Sequence, residues 1–262
     1  MTHDLPATWT YNRELLLAGA KRNAVLALDE VHQYGSDSYA DVDYVSIFGM
    51  RPAKWHAKGI RVLGRTAVEC TRDELANAIG ADIHTAVGAK ERAEDIVVVD
   101  AFAGSGNTLY WILHHLPGAR GVGFELDDTV FDLTRRNLSI LGLPIDVVKA
   151  DYASGVSNLR VADDELVIAF LAPPWGDALD KSGSLDLRRT VPPIGDIADR
   201  LIDRFANRLL IAIQVYEKLE PASLAEVEAR FDWSELRIYD LNVPGQNHGI
   251  LLAGRNVARP AD

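Results

Sequence analysis

The sequence predicts an α/β fold: a mostly parallel sheet with helices on both faces, an antiparallel hairpin at its C-terminal edge, and a helical segment ahead of it. Three observations predict this. From residue 96 onward, short continuous apolar runs alternate with amphipathic stretches, the pattern of parallel strands buried on both faces. Residues 97–107, VVVDAFAGSGN, end one such strand in a glycine loop that turns into a helix. Near the end the pattern changes to two strand-like runs separated by Pro244 and Gly245, the signature of an antiparallel hairpin.

The elements follow in order. Residues 12–32 read as a helix capped by Asn12, because Leu and Val recur at three- and four-residue spacing. Residues 34–48, rich in Gly, Ser, Asp and Tyr, read as a loop. Residues 50–65 carry Arg51, Lys54, Lys58, Arg61 and Arg65 with Trp55 and His56, and no acid. Two readings stay open there. One is a solvated helix face with a single apolar Trp. The other is a contact surface for a phosphate-bearing substrate, with Arg51, Lys54 and Lys58 as its cations and Trp55 as a stacking face. Residues 71–83 read as a helix opened by a capping box of Thr71 and Glu74. Strands at 96–102, 121–126, 146–150, 165–171 and 208–215 are interleaved with helices at 107–116, 128–142 and 195–206. A helix at 221–231 precedes the hairpin strands at 234–241 and 250–254. His248, beside Asn247, reads as part of the turn, with lining of the pocket as the second reading.

Composition bounds the function. A chain of 262 residues, 48% hydrophobic, can form one large α/β domain with an accessory segment. Its net charge of -11 argues against a long nucleic-acid footprint and leaves a short local one open. The single cysteine, Cys70, allows no intrachain disulfide. No basic start followed by an apolar stretch marks a signal peptide, and no apolar run approaches membrane-span length. The expectation is a cytoplasmic protein with no membrane contact and no obligate protein partner. His114 and His115 are adjacent on a predicted helix and face different ways, so no metal site is expected.

The glycine loop is the candidate cofactor cradle. Gly104 and Gly106 remove side chains where a ligand must approach the backbone, and Asn107 reads as the cap of the following helix. Phe102, Ala103 and Thr108 belong to the same turn. A Walker A loop is absent, and Leu109 takes the third glycine position of a dinucleotide fingerprint, which weakens an NAD reading without removing it. The remaining candidate is S-adenosylmethionine (SAM), which needs acids for its ribose and its amino-acid tail. Asp100 lies by the loop and can favour an ammonium group. Glu125, followed by Leu126, lies about 20 residues past the glycines, where a carboxylate can accept ribose hydroxyls. Asp151, with Tyr152, follows the third strand, where a carboxylate can accept from an adenine amine. Taken alone, each acid reads as a cap or turn residue.

The second chemical motif is LAPPWG, residues 171–176. Ala172, Pro173, Pro174 and Trp175 end a strand expected beside the glycine-loop strand. Prolines fix φ and give up their N–H groups, so a rigid turn presents bare carbonyl oxygens. Such carbonyls can accept from an exocyclic amino group, and Trp175 offers a flat face on which an aromatic ring stacks.

Together these residues resemble the Rossmann-like class I SAM-dependent methyltransferases. More narrowly they resemble the trimethylguanosine synthase family of RNA cap guanine amino-methyltransferases and its prokaryotic relatives. The similarity runs through GIRVLGRTAVECTRDELANAIG (59–80), DAFAGSGNT (100–108), GFELDDTVFDLTRRNLSILG (123–142), LAPPWG and SLDLRRT (184–190). It implies a seven-stranded sheet, SAM as cofactor, and a division into an accessory segment, 1–58, and a methyltransferase domain, 59–262. It also implies that Trp175 stacks on a guanine-like base in RNA or a nucleotide while the Pro-Pro turn holds its amine. Ala172 stands where the family has Ser, which removes one side-chain acceptor. Methylation of a small aromatic metabolite is therefore the second reading. An NAD-dependent oxidoreductase and a non-catalytic scaffold of the same fold are the remaining alternatives.

Overall fold

The computed structural model describes residues 10–88, 91–179, 183–205, 207–241 and 247–259. Ahead of the sheet lie α1 (Arg13–Leu17), α2 (Leu28–Tyr39), α3 (Pro52–Ala57), α4 (Gly64–Glu69) and α5 (Asp73–Val87). The alternating part follows: β1 (Ile96–Asp100), α6 (Asn107–His115), β2 (Arg120–Glu125), α7 (Asp128–Leu141), β3 (Ile145–Lys149), α8 (Tyr152–Asn158) and β4 (Leu166–Leu171). It closes with α9 (Ile194–Phe205), β5 (Leu209–Tyr216), α10 (Pro221–Glu228), β6 (Trp233–Ile238) and β7 (His248–Arg255).

The sheet has seven strands in the order β3-β2-β1-β4-β5-β7-β6. The first five strands pair in parallel, whereas β7 runs antiparallel to both β5 and β6. Successive residues of β1 and β4 feed opposite faces of the sheet, because side chains alternate along a strand. Val97, Val99, Val167 and Ala169 pack under α9, whereas Ile96, Val98, Leu166 and Ile168 pack under α5 and α6. Burial on both faces is why these strands read as continuous apolar runs. No helix among the described residues is long and apolar enough to cross a membrane.

The segment ahead of the sheet differs from expectation. Residues 12–32 are not one helix. Asn12 does cap α1, accepting from Leu15 N at 3.0 Å, but the helix ends after Leu17. Residues 25 and 26 are drawn out to meet 62 and 63: Val25 and Leu63 form an antiparallel bridge, and Leu26 N donates to Val62 O at 3.0 Å. Tertiary pairing overrides the local helical spacing there. Residues 34–39, expected in a loop, belong to α2, because Tyr34 is fully buried in the segment's own core. Gly35 allows the chain to fold back on that helix, since a Cβ there would stand 2.2 Å from Asp41 O. Residues 50–65 form the short α3 and the start of α4 rather than one helix. The capping box at Thr71 does not form; Arg72 holds the cap position of α5, and Thr71 Oγ1 donates to Gln214 Oε1 at 2.9 Å. One helix, α8, was not anticipated. The expected Pro-Gly turn falls at 244–245, outside the described residues.

Candidate cofactor and acceptor site

The chain builds β1, β2 and β3 outward in one direction and then crosses back to place β4 on the other side of β1. Ligands of open α/β sheets bind outside the carboxyl ends of the strands at such a reversal. Asp100 of β1 pairs with Phe170 of β4, and Ala101 N donates to Phe170 O at 3.1 Å. The glycine loop and the Ala172–Trp175 turn therefore leave the sheet side by side.

The loop is held through its backbone by β2, by α7 and by an internal turn. Ala103 N donates to Phe124 O at 2.8 Å and Gly106 N to Ala103 O at 2.7 Å, while Thr134 Oγ1 donates to Gly104 O at 2.6 Å. Gly104 and Gly106 have φ of 48° and 76°, conformations that favour glycine. Gly106, not Asn107, is the cap residue of α6. The Asn107 amide is buried and turned to the N-terminal segment: its Oδ1 accepts from Phe48 N at 2.6 Å, and its Nδ2 donates to Thr71 O at 2.8 Å. The expected cap is thus a corrected assignment. A glycine in the left-handed region opens the helix and frees the amide for a tertiary bond. Thr108 lies buried in the first turn of α6.

Two acids flank this loop. Asp100 is 1% exposed, and its Oδ1 accepts from Phe102 N at 3.1 Å. Burial pushes its carboxyl up to about 7; that hydrogen bond opposes the shift, and the Glu125 charge adds to it. Glu125 accepts from Gly104 N through Oε2 at 3.0 Å and from Asp127 N through Oε1 at 2.8 Å. Burial raises its carboxyl too, opposed by those two N–H groups and by the Arg65 charge. Each carboxylate oxygen keeps a second lone pair for a ligand.

Asp151 is exposed and caps α8, accepting from Ala153 N at 3.0 Å and Ser154 N at 3.1 Å. Its carboxyl is held below the usual range, chiefly by the Ser154 hydroxyl. Tyr152 and Phe102 bring their rings to 5.6 Å. Leu126 is 68% exposed and forms one wall of a groove of about 620 Å³ that also takes in Val148, Ala150, Asp151 and Ser154. The groove is lined by residues of β2, β3 and α8, and Leu126 and Asp151 are the two residues it shares with the expected cofactor site.

These residues fit SAM on two observations. Asp100 is a buried carboxylate with a single hydrogen-bond donor among the described residues, an arrangement that a cationic ligand group stabilises. Gly104 leaves its surroundings open, since an added Cβ would meet nothing closer than 3.9 Å.

On the other side of the loop, Pro173 is buried, Pro174 exposed, and Ala172 and Trp175 half-buried. Trp175 is not alone. His248 stacks on it at 5.5 Å and 24°, and Tyr216 meets both rings edge-on at 6.2 and 5.9 Å. Tyr216 ends β5 and pairs with His248, which opens β7 rather than sitting in a turn. The His248 Nδ1 is buried with no hydrogen-bond partner among the described residues. Burial pushes this imidazole down to about 4, helped by the Arg72 and Arg13 charges, so the ring is neutral near pH 7. Sequence reading overlooked Tyr216; its position at the end of an apolar strand beside the LAPPWG strand was the available signal.

The basic stretch divides. Arg51, Lys54 and Lys58 lie at the surface, Arg51 in a 3.2 Å pair with Asp43. Trp55 is a correction: it is 0% exposed, packs in the core of the N-terminal segment, and its Nε1 donates to Val45 O at 3.0 Å. It presents no stacking face. One apolar ring in a short amphipathic helix lowers the free energy more in the core than on the surface.

No family model matches the chain. The fold is the Rossmann-like fold of class I SAM-dependent methyltransferases. It resembles the METTL16 methyltransferase domain with a TM-score of 0.50 at 13% identity, over 73% of this chain and 72% of that one. Among curated proteins, trimethylguanosine synthase of Schizosaccharomyces pombe is 26% identical over 83 residues, 30% of this chain and 34% of that protein. Release factor glutamine methyltransferase of Mycobacterium leprae is 34% identical over 101 residues, 33% of this chain and 34% of that protein. The chain thus spans about a third of the length of the curated relatives it matches.

Proposed function

We propose that this chain is a SAM-dependent methyltransferase acting on an exocyclic amino group of a guanine-like base, in RNA or a nucleotide. The observation that carries the reading is the shared exit of β1 and β4, which brings the Asp100–Glu125 glycine loop beside the Ala172–Trp175 turn. Asp100 would face the cationic amino-acid end of the cofactor, Glu125 its ribose hydroxyls, and Leu126 and Asp151 its adenine. SAM, when bound there, supplies a methyl group on a sulfonium, which is already a good leaving group. The chain's part is then positioning. The Trp175 O already accepts from Ala178 N at 2.7 Å, so the carbonyls of Ala172 and Pro173 are the ones proposed to take the acceptor amine. Trp175, kept in plane by His248 and Tyr216, would hold the acceptor ring. The two curated relatives are named for guanosine and for glutamine, both of which carry an amino nitrogen on an sp² carbon.

A second reading, methylation of a small aromatic metabolite, gains from the burial of Trp55. That burial removes Trp55 as the stacking ring expected beside Arg51, Lys54 and Lys58. Transfer of label from SAM into host extract, split into RNA and small-molecule fractions, separates the two. Label in RNA that disappears with Trp175→Ala supports the first reading, and label confined to small molecules supports the second. No label in either fraction would falsify both readings.

A further inference from the structure

Arg65 is the second residue of α4, in the segment ahead of the sheet, yet its guanidinium reaches the cofactor side of the fold. Its Nη1 donates to Asp127 Oδ2 at 2.8 Å. Asp127 N in turn donates to Glu125 Oε1 at 2.8 Å, and Glu125 Oε2 accepts from Gly104 N at 3.0 Å. A continuous chain of hydrogen bonds thus runs from α4 through the β2–α7 corner to the glycine loop.

Local structure fixes where this arginine stands. Gly64 lets residues 21–24 lie directly over the start of α4, because a Cβ there would stand 2.2 Å from Lys21 O. Gly64 N then donates to Ala24 O at 3.0 Å and Arg65 N to Arg22 O at 2.9 Å. The side chain is 17% exposed, and its Nε is buried without a hydrogen-bond partner among the described residues, 3.5 Å from Glu69 Oε2. Leaving a guanidinium N–H buried and unbonded costs about 1–3 kcal/mol, so a solvated Arg–Glu surface pair does not account for this placement.

We propose that Arg65 is a positioning residue of the cofactor site: through Asp127 it holds the Glu125 carboxylate in place to accept ribose hydroxyls. The inference rests on the proposed use of SAM. Glu125 is faced by Asp100 from β1, by Asp127 from the start of α7, and by Arg65, with Glu69 behind it, from α4. Lys149, its neighbour in register on β3, is turned to Asp128 at 2.6 Å. Among the described residues Arg65 is therefore the cation acting on Glu125 and Asp127 the anion opposing it, whereas Asp100, pushed up to about 7, is protonated at the acid end.

The two partners of the ion pair act on Glu125 with opposite signs, which makes the test specific. Removing Arg65 leaves burial and the Asp127 charge pushing the carboxyl upward, so the low-pH limb of SAM binding moves to higher pH. Replacing Asp127 by Asn keeps a good helix cap and removes an anion, so the limb moves to lower pH. SAM and S-adenosylhomocysteine affinities are measured by calorimetry between about pH 5 and 8 for the wild type, Arg65→Met, Arg65→Lys and Asp127→Asn. Expected is a loss of about tenfold for Arg65→Met at the acid end, shrinking toward pH 8. Recovery is expected in Arg65→Lys and the opposite displacement in Asp127→Asn. Arg65→Gln, which removes the charge and keeps a polar side chain, carries the test if Arg65→Met fails to fold. Wild-type affinity at every pH in Arg65→Met would overturn the proposal. So would a uniform loss with an unmoved limb, which is what a purely structural strut produces. A wild-type protein that binds neither compound at any pH would instead sink the proposed function, and this inference with it.

Discussion

Asp100 and Glu125 leave neighbouring strands with their carboxylates buried against one loop, and the Glu125 charge adds to the proton affinity of Asp100. The consequence for Asp100 has a definite sign. Its carboxyl sits at about 7 in the fold against 3.8 unfolded, so its stabilising contribution is complete below about pH 4 and lost as pH rises through 7. Asp100→Asn should remove that loss, stabilising the ligand-free protein at pH 8 by up to about 4 kcal/mol, while SAM binding weakens. Urea unfolding of both proteins at pH 5 and pH 8 checks it; equal stability gaps at the two pH values would contradict the shift. Binding of a cationic cofactor near pH 7 should also release protons, visible as calorimetric heats that depend on the buffer. Trp175 makes the complementary prediction. Trp175→Ala should leave SAM affinity within a few-fold while methyl transfer drops by more than about tenfold, because base stacking contributes about 1–3 kcal/mol. Full turnover in that variant would remove the stacking role.

At the scale of elements, α8 shows what strand and helix patterns miss. It is seven residues long, with Gly155 and Val156 buried and most of the rest exposed, too short for helical periodicity to register. Its position depends on close approach to β2. A Cβ on Gly155 would stand 2.5 Å from the Phe124 ring. Gly155→Val should therefore destabilise the fold by about 1–3 kcal/mol and, by lifting Asp151 at the helix start, weaken SAM binding further. A melting curve and a SAM titration read the two effects; an unchanged melting temperature would mean that α8 is not packed as described. The same scale explains Thr71 and Asn107. Both are residue types that cap helices, and both are claimed by partners 143 and 36 residues away instead.

The whole molecule joins the N-terminal segment to the sheet more closely than a chain-order reading suggests. Residues from α1 to α4 share a core with Leu138 of α7, with Val147 of β3 packed against it, and Asn107 ties Phe48 to the start of α6. Removal of residues 1–58 should therefore expose that face of α7 and β3 and lower the melting temperature. It should also disturb the glycine loop, because Asn107 loses the Phe48 N–H. Asn107→Ala offers a smaller version of the same experiment: a loss of about 1–3 kcal/mol, from the buried Phe48 N–H left without its acceptor. Stability within a few tenths of a kcal/mol of the wild type would show that the bond contributes little.

The parallel strands, their order of appearance and the glycine loop were legible because each is written in contiguous residues. A strand buried on both faces must be apolar throughout, and a loop with positive φ must use glycine. The sequence by itself therefore determined the α/β class, the edge hairpin and the positions of Asp100, Glu125, Asp151 and Trp175 at strand ends. Only the tertiary structure decided which residues face one another there. It buried Trp55, turned Asn107 away from its helix end, and set Tyr216 and His248 around Trp175 from strands 41 or more residues further along the chain. It also brought Arg65 within 2.8 Å of Asp127. The physical reason is range. Propensity and periodicity act over a few residues, whereas burial and charge pairing act through space and answer to the order in which strands enter the sheet.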